Sequence, residues 1–271
     1  MSINDLFNIL NQSGLGCKFQ NYVFGSFGYA DDLLLLSASQ SGLQSMVKIA
    51  EDFAKSRSLR FSTNPDPKKT KTKCLVFSKL VRARQDILPI LLNGVPLPWV
   101  DTAKHLGNKL ESDNSMKQDI AMKKGKFIGK VNYLAQMFHF ASPGVLMTIL
   151  NTYCTSFHRS GLWKLCNKES ERLCKAWNVT MRITFQVPRT THRYLIESIS
   201  GKLHLKVMLA SWLIKFLGSL KTSSMLGVRL LAGISERDMR TVMGRNVSYI
   251  ATETETEAAA LTPGLVKSTM K

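Results

Sequence analysis

Two adjacent carboxylates, Asp31 and Asp32, sit between Phe27-Gly28-Tyr29-Ala30 and the apolar run Leu33-Leu34-Leu35-Leu36. Ionised carboxylates side by side repel, and burial raises the cost. A cation between them offsets that repulsion. Mg²⁺ takes hard oxygen ligands, commonly one or two carboxylates plus substrate phosphates. Two-metal phosphoryl transfer uses such acids to hold ions near the attacking and leaving oxygens. The competing interpretation is a solvated turn, which aspartate favours. From the two acids alone that interpretation is the stronger one. The surroundings shift the balance: an aromatic and a small residue precede the acids, and a hydrophobic strand follows.

The elements that must position the pair can be read from periodicity. A short helix over Leu6 to Leu10 is followed by a turn at Ser13-Gly14. Tyr22 to Leu36 reads as two strands around a tight turn at Gly28 to Asp32, with Leu33 to Leu36 the buried second strand. Ser39 or Ser41 caps a helix whose stripe is Leu43, Met46, Val47, Ala50, Phe53 and Ala54. Glu51 and Lys55 form an outer i,i+4 pair. Short strands are expected at Leu59 to Ser62 and Cys74 to Phe77, separated by the turn Asn64-Pro65-Asp66-Pro67. Asn93-Gly94 turns a hairpin between Ile90-Leu92 and Val95-Leu97. Beyond Asp113 the pattern is helical. Ile120, Phe127, Val131, Leu134 and Phe138 line one face, and Lys117, Lys123, Lys124, Lys126 and Lys130 crowd the remainder. Ser142-Pro143 opens a helix with Val145, Leu146, Ile149, Leu150 and Tyr153 as its buried stripe. Further helices are expected near 168–183, 191–198 and 203–220, and a loose polar tail after Tyr249.

The 271 residues carry 37 Lys+Arg against 19 Asp+Glu, a net charge of +18, which points to a polyanionic partner. Between Arg60 and Lys130 there are 15 basic and 6 acidic residues, and helix 115–138 is the expected phosphate-contacting face. A solvated amphipathic helix is the plain alternative for that face. Hydrophobic residues make up 44% of the chain, so most of it should fold. Leu33–Leu36 is too short to span a bilayer. Met1-Ser2-Ile3-Asn4-Asp5 does not resemble a signal peptide. An intracellular location, cytoplasmic or nuclear, with no membrane partner is expected. The five scattered cysteines are expected to be reduced thiols. Cys154, His158, Cys166 and Cys174 lack the close cysteine pair of a structural zinc site. Trp163, Trp177 and Trp212 are expected in the core.

Phe27-Gly28-Tyr29-Ala30-Asp31-Asp32-Leu33-Leu34-Leu35-Leu36 resembles the aromatic-x-Asp-Asp hairpin of reverse transcriptases, in the Tyr-Ala-Asp-Asp form of non-LTR retrotransposons. Ile3-Asn4-Asp5-Leu6 and Gly14-Leu15-Gly16-Cys17 resemble the connector before that hairpin. Helix 41–57, Phe61-Ser62-Thr63-Asn64 and Lys71-Thr72-Lys73-Cys74-Leu75-Val76-Phe77 are similar to the next block. Lys104-His105-Leu106-Gly107 is similar to the primer-grip block. Ala176-Trp177-Asn178 through Met181-Arg182 to Val187-Pro188 is similar to the helical region that follows the polymerase core.

The resemblance implies an α+β fold: an incomplete palm over 1–110 (a small antiparallel sheet plus a helix), thumb-like helices over 111–165, a helical extension over 166–250 and a flexible tail over 251–271. It implies RNA-directed DNA polymerisation with Mg²⁺, an RNA template and a DNA primer. Asp31 would be the main metal ligand of the hairpin and Asp32 its helper. Lys73, with Lys71 as second choice, would lie near the incoming triphosphate; Lys68, Lys69 and Lys71 read otherwise as a solvated loop. Tyr29 would meet nucleic acid and Leu106-Gly107 would support the primer end, an ordinary strand turn being the alternative. Such a polymerase also needs a metal-binding aspartate on an earlier strand, a template-contacting block and fingers. These do not fit into residues 1–25, so the isolated chain is expected to be inactive. A non-catalytic nucleic-acid-binding protein, or a chain working beside an intact reverse transcriptase copy, are the alternatives.

Overall fold

The computed structural model describes residues 3–64, 66, 69–78, 87–155, 157, 159–201 and 203–270. The chain is α+β and mostly helical, with ten α-helices and four two-stranded antiparallel ladders among the described residues. It divides into two units, 1–115 and 116–271.

The first unit holds α1 (Ile3–Gln12), β1 (Cys17–Phe19), β2 (Tyr22–Phe24), β3 (Ser26–Tyr29), β4 (Asp32–Leu35), α2 (Gln40–Ser56), β5 (Ile90–Leu92), β6 (Val95–Leu97), β7 (Thr102–His105) and β8 (Asn108–Glu111). Successive strands pair as hairpins, and no ladder exceeds two strands among the described residues. Helix α2 is the organiser. Ser39 caps it by accepting a hydrogen bond from the Gly42 N–H. Met46 and Ala50 pack with Leu6 and Leu10 of α1 and with Leu33 and Leu35. Val47 packs with Ile90, Leu92, Leu97 and Cys74. The Gln44 amide donates to the Leu91 carbonyl at 2.9 Å and accepts from the Leu91 N–H at 2.7 Å, which blunts an unpaired edge of β5.

Glu51 does pair with Lys55, but its side chain is buried rather than outward. Leu59 to Ser62 forms no strand, because the Leu59 N–H bonds back to Ala54 and closes α2. Cys74 to Phe77 reduces to one parallel bridge from Cys74 to Trp99. The neighbouring segment carries Pro96 and Pro98, which lack the N–H groups a longer ladder needs. Pro65, Pro67 and Lys68 lie outside the described residues.

The second unit holds α3 (Lys117–Met137), α4 (Pro143–Tyr153), α5 (Lys168–Thr184), α6 (Arg193–Ser200), α7 (Leu205–Lys221), α8 (Leu226–Arg237), α9 (Val242–Thr254) and α10 (Pro263–Thr269). One hydrophobic core runs from Ile120 to Met270. Trp163 and Trp177 are buried in it, with Trp177 stacked on Phe127 at 5.7 Å. The Asn246 amide donates to the Trp163 carbonyl and accepts from the Leu165 N–H, joining segments about 80 residues apart.

Those bonds cross 165/166, where thumb and extension were expected to part, within one compact unit. The stretch 251–271 was expected to be loose. Its residues Val266 and Met270 are buried in the core instead. On α4, Val145 and Tyr153 are exposed, while Met147 is buried beside Leu146 and Leu150. Among the described residues no single helix is long and apolar enough to cross a membrane.

Close backbone approach ties the hairpin β3–β4 to α1. A Cβ at Gly28 would stand 2.2 Å from Cζ of Phe7. Gly28→Ala is therefore expected to lower the stability of the first unit by about 1–2 kcal/mol, measured by urea denaturation. In a Phe7→Ala background the loss should shrink, because the clashing ring is gone.

Candidate functional site

Hairpin β3–β4 turns over the two residues Ala30 and Asp31, and Tyr29 pairs with Asp32 at its end. Ala30 has φ of 54°, a left-handed conformation uncommon for a residue with a side chain. The two-residue strand period separates two faces. Ser26, Gly28, Leu33 and Leu35 share the face turned to α1 and α2. Phe27, Tyr29, Asp32 and Leu34 share the other. Leu33 to Leu36 were expected to be buried and are half-buried, because only one face of a two-stranded ladder is covered. Tyr29 is 69% exposed, and Asp31 and Asp32 are both exposed. Neither carboxylate has a hydrogen bond or ion pair among the described residues.

This arrangement offers two adjacent hard-oxygen ligands at a hairpin tip, beside an aromatic platform. It suits contact with a hydrated Mg²⁺ that shares its remaining positions with water and phosphate. It does not fit a two-ion centre. Among the described residues no group of three or more His, Cys, Asp or Glu is arranged to hold a metal.

Lys73 is exposed beside the buried Cys74 and makes no hydrogen bond or ion pair with either aspartate among the described residues. Leu106 and Gly107 form the two-residue turn of β7–β8, with φ of 46° and 80°. The buried Asn108 amide donates to the Leu106 carbonyl at 3.1 Å and fixes that turn. These residues belong to the first unit, and the basic helix α3 to the second.

The lysines of α3 do not form one surface. At 100° per residue, Lys117 and Lys124 fall on one flank of the buried stripe Ile120–Phe127–Val131, and Lys126 and Lys130 on the other. The outermost strip between the flanks carries Gly125 and Gly129, where an added Cβ would meet nothing. The Lys130 ammonium donates to the Tyr153 carbonyl at 2.9 Å.

Lys123 is a correction. Its side chain is 11% exposed, its ammonium lies 3.2 Å from Asp119 and it sits 5.3 Å over the Trp163 ring. The Trp163 indole N–H donates to the same Asp119 oxygen at 2.9 Å. Burial pushes the Lys123 amine below its ordinary range, and Asp119 opposes that shift. Lys123 is thus held within the second unit by Asp119 and the Trp163 ring. The i,i+4 spacing of Asp119 and Lys123 was the available signal; the indole 44 residues away gave none.

The cysteines are free thiols. Burial pushes Cys74 and Cys174 up to about 11, so both stay protonated at neutral pH. His158 lies outside the described residues.

Removing one partner of a buried ion pair strands the other. Asp119→Ala is expected to destabilise the second unit by about 3 kcal/mol, while Lys126→Ala costs less than about 0.5 kcal/mol. Thermal or urea denaturation followed by tryptophan fluorescence measures both.

Comparison of the chain with protein-family models and with curated proteins returns no match.

Proposed function

We propose that this chain serves RNA-directed DNA polymerisation of the non-LTR retrotransposon kind, contributing the aspartate hairpin and a basic helical unit. The observation that carries the reading is the β3–β4 tip. It holds Asp31 and Asp32 in solvent, without a neutralising partner among the described residues, and sets Tyr29 directly across from Asp32. On this reading Asp31 and Asp32 meet Mg²⁺ bound to substrate phosphate, and Lys73 stands near the incoming triphosphate. The Leu106–Gly107 turn supports the primer end, and lysines of α3 follow the phosphate backbone. A third carboxylate is needed to hold two ions for in-line transfer. The isolated chain is therefore proposed not to polymerise.

A second reading is a non-catalytic nucleic-acid-binding protein. It is favoured by the charge distribution, since residues 116–271 hold 23 Lys+Arg against 9 Asp+Glu, a net of +14 out of +18. Both readings predict phosphate-directed, sequence-tolerant binding.

Purified chain is expected to bind an RNA–DNA primer–template at low salt and to give no extension with Mg²⁺ and deoxynucleotides. Because the α3 lysines straddle the helix, one pair alone should carry the contact. Replacing either Lys117 and Lys124, or Lys126 and Lys130, by alanine should lower the log–log salt slope by about 2, and the other pair should leave it unchanged. Extension that disappears in Asp31→Ala would overturn the proposal that the chain is inactive alone. Absence of binding at low salt would overturn both readings.

A further inference from the structure

The second unit carries a surface groove of about 560 Å³ between one side of α4, the stretch after α5 and the end of α6. Met147, Phe185 and Val187 make its apolar part, Ile199 its rim, and Thr148 and Asn151 are polar. No charged side chain lines it among the described residues. The flanking helices leave aliphatic side chains in solvent at helical spacing. Leu195 and Ile199 are four apart on α6, and Val179 and Ile183 four apart on α5; Ile183 and Ile199 are both 56% exposed. Exposed apolar clusters of this kind mark protein contact surfaces.

The chemistry of the patch selects among occupants. Nucleobases stack on aromatic planes, whereas these ridges are mainly branched aliphatics, which interdigitate with the apolar stripe of a helix. A second copy of the chain would bring +18 against a unit of +14 and be repelled. The exposed charge nearby is mixed on α5, where Glu171 lies four residues before Lys175, and positive past Val187. Arg189, two residues past Val187, and Lys175, four before Val179, are exposed and make no ion pair or hydrogen bond among the described residues. Arg182 and Arg193 are already engaged, with the Thr191 carbonyl and with Glu197.

We infer that this groove receives an amphipathic helix of a partner protein, apolar along one stripe and acidic along its flanks. The partner's apolar stripe covers Ile199 and enters between α4 and α6, while its carboxylates face Arg189. This surface stands apart from the polymerisation reading and does not depend on it.

The test uses the full chain and three fluorescein-labelled probes in about 0.15 M salt, read by anisotropy. They are a helical peptide of about five turns with leucines at i, i+3, i+4 and i+7 and glutamates elsewhere, the same composition with the leucines scrambled, and a single-stranded RNA. The acidic amphipathic peptide should bind at least about tenfold more tightly than the scrambled one. Ile199→Asp should remove most of that difference, and Arg189→Glu should weaken both peptides. Both variants change surface residues, and circular dichroism with a melting curve checks that each stays folded. Equal binding of the two peptides, or a preference untouched by Ile199→Asp, overturns the proposal. RNA binding that is abolished by Ile199→Asp also overturns it and assigns the groove to nucleic acid.

Discussion

Two adjacent carboxylates without a cation must stay hydrated, and that constraint governs how the first unit is built. Their hairpin can be held from one face only. Gly28 leaves room for the Phe7 ring on that face, and Leu33 and Leu35 pack toward α1 and α2. Behind the hairpin, Gly16 and Gly25 pass so close that a Cβ on Gly16 would stand 2.5 Å from the Gly25 Cα. Ser37 donates to the Leu15 carbonyl and ties the strand exit to the same connector. The opposite face, with Phe27, Tyr29 and Leu34, stays open. Covering it would strip water from Asp32 and raise the cost of its charge.

The second unit solves a different problem, an excess of positive charge in a helical fold. Part of the excess is neutralised internally, as in the Asp119–Lys123 pair under Trp163. The rest is spread: on α3 the remaining lysines lie in two rows separated by the core stripe on one side and by Gly125 and Gly129 on the other. Spreading lowers self-repulsion, but it also prevents all four lysines from meeting one phosphate strand.

Local signals were legible wherever the chain itself supplies the chemistry. The Asn93–Gly94 hairpin, the Ser39 cap, the Tyr29–Asp32 turn and the long periodic helices α2, α3, α5 and α7 could all be read from neighbours in sequence. What could not be read depends on distant partners. Cys74 to Phe77 looks like a strand, but the segment it meets has prolines where donors are needed. The polar stretch after Tyr249 suggested a loose end, whereas Val266 further on is drawn into the core. Helix α9 was not anticipated, and its buried Asn246 makes sense only through its bonds to Trp163 and Leu165. At the candidate site, the sequence showed the acids and their turn. It could not show that Lys123 belongs to the core.

The proposed role of the hairpin tip as an incomplete cation site rests on Asp31 and Asp32 alone. Paramagnetic broadening of amide signals by Mn²⁺, standing in for Mg²⁺, tests it most directly. Weak binding is expected, with broadening centred on Tyr29 to Leu33 and lost in Asp31→Asn/Asp32→Asn. Broadening centred elsewhere, or none at the hairpin at any Mn²⁺ concentration the protein tolerates, would contradict it.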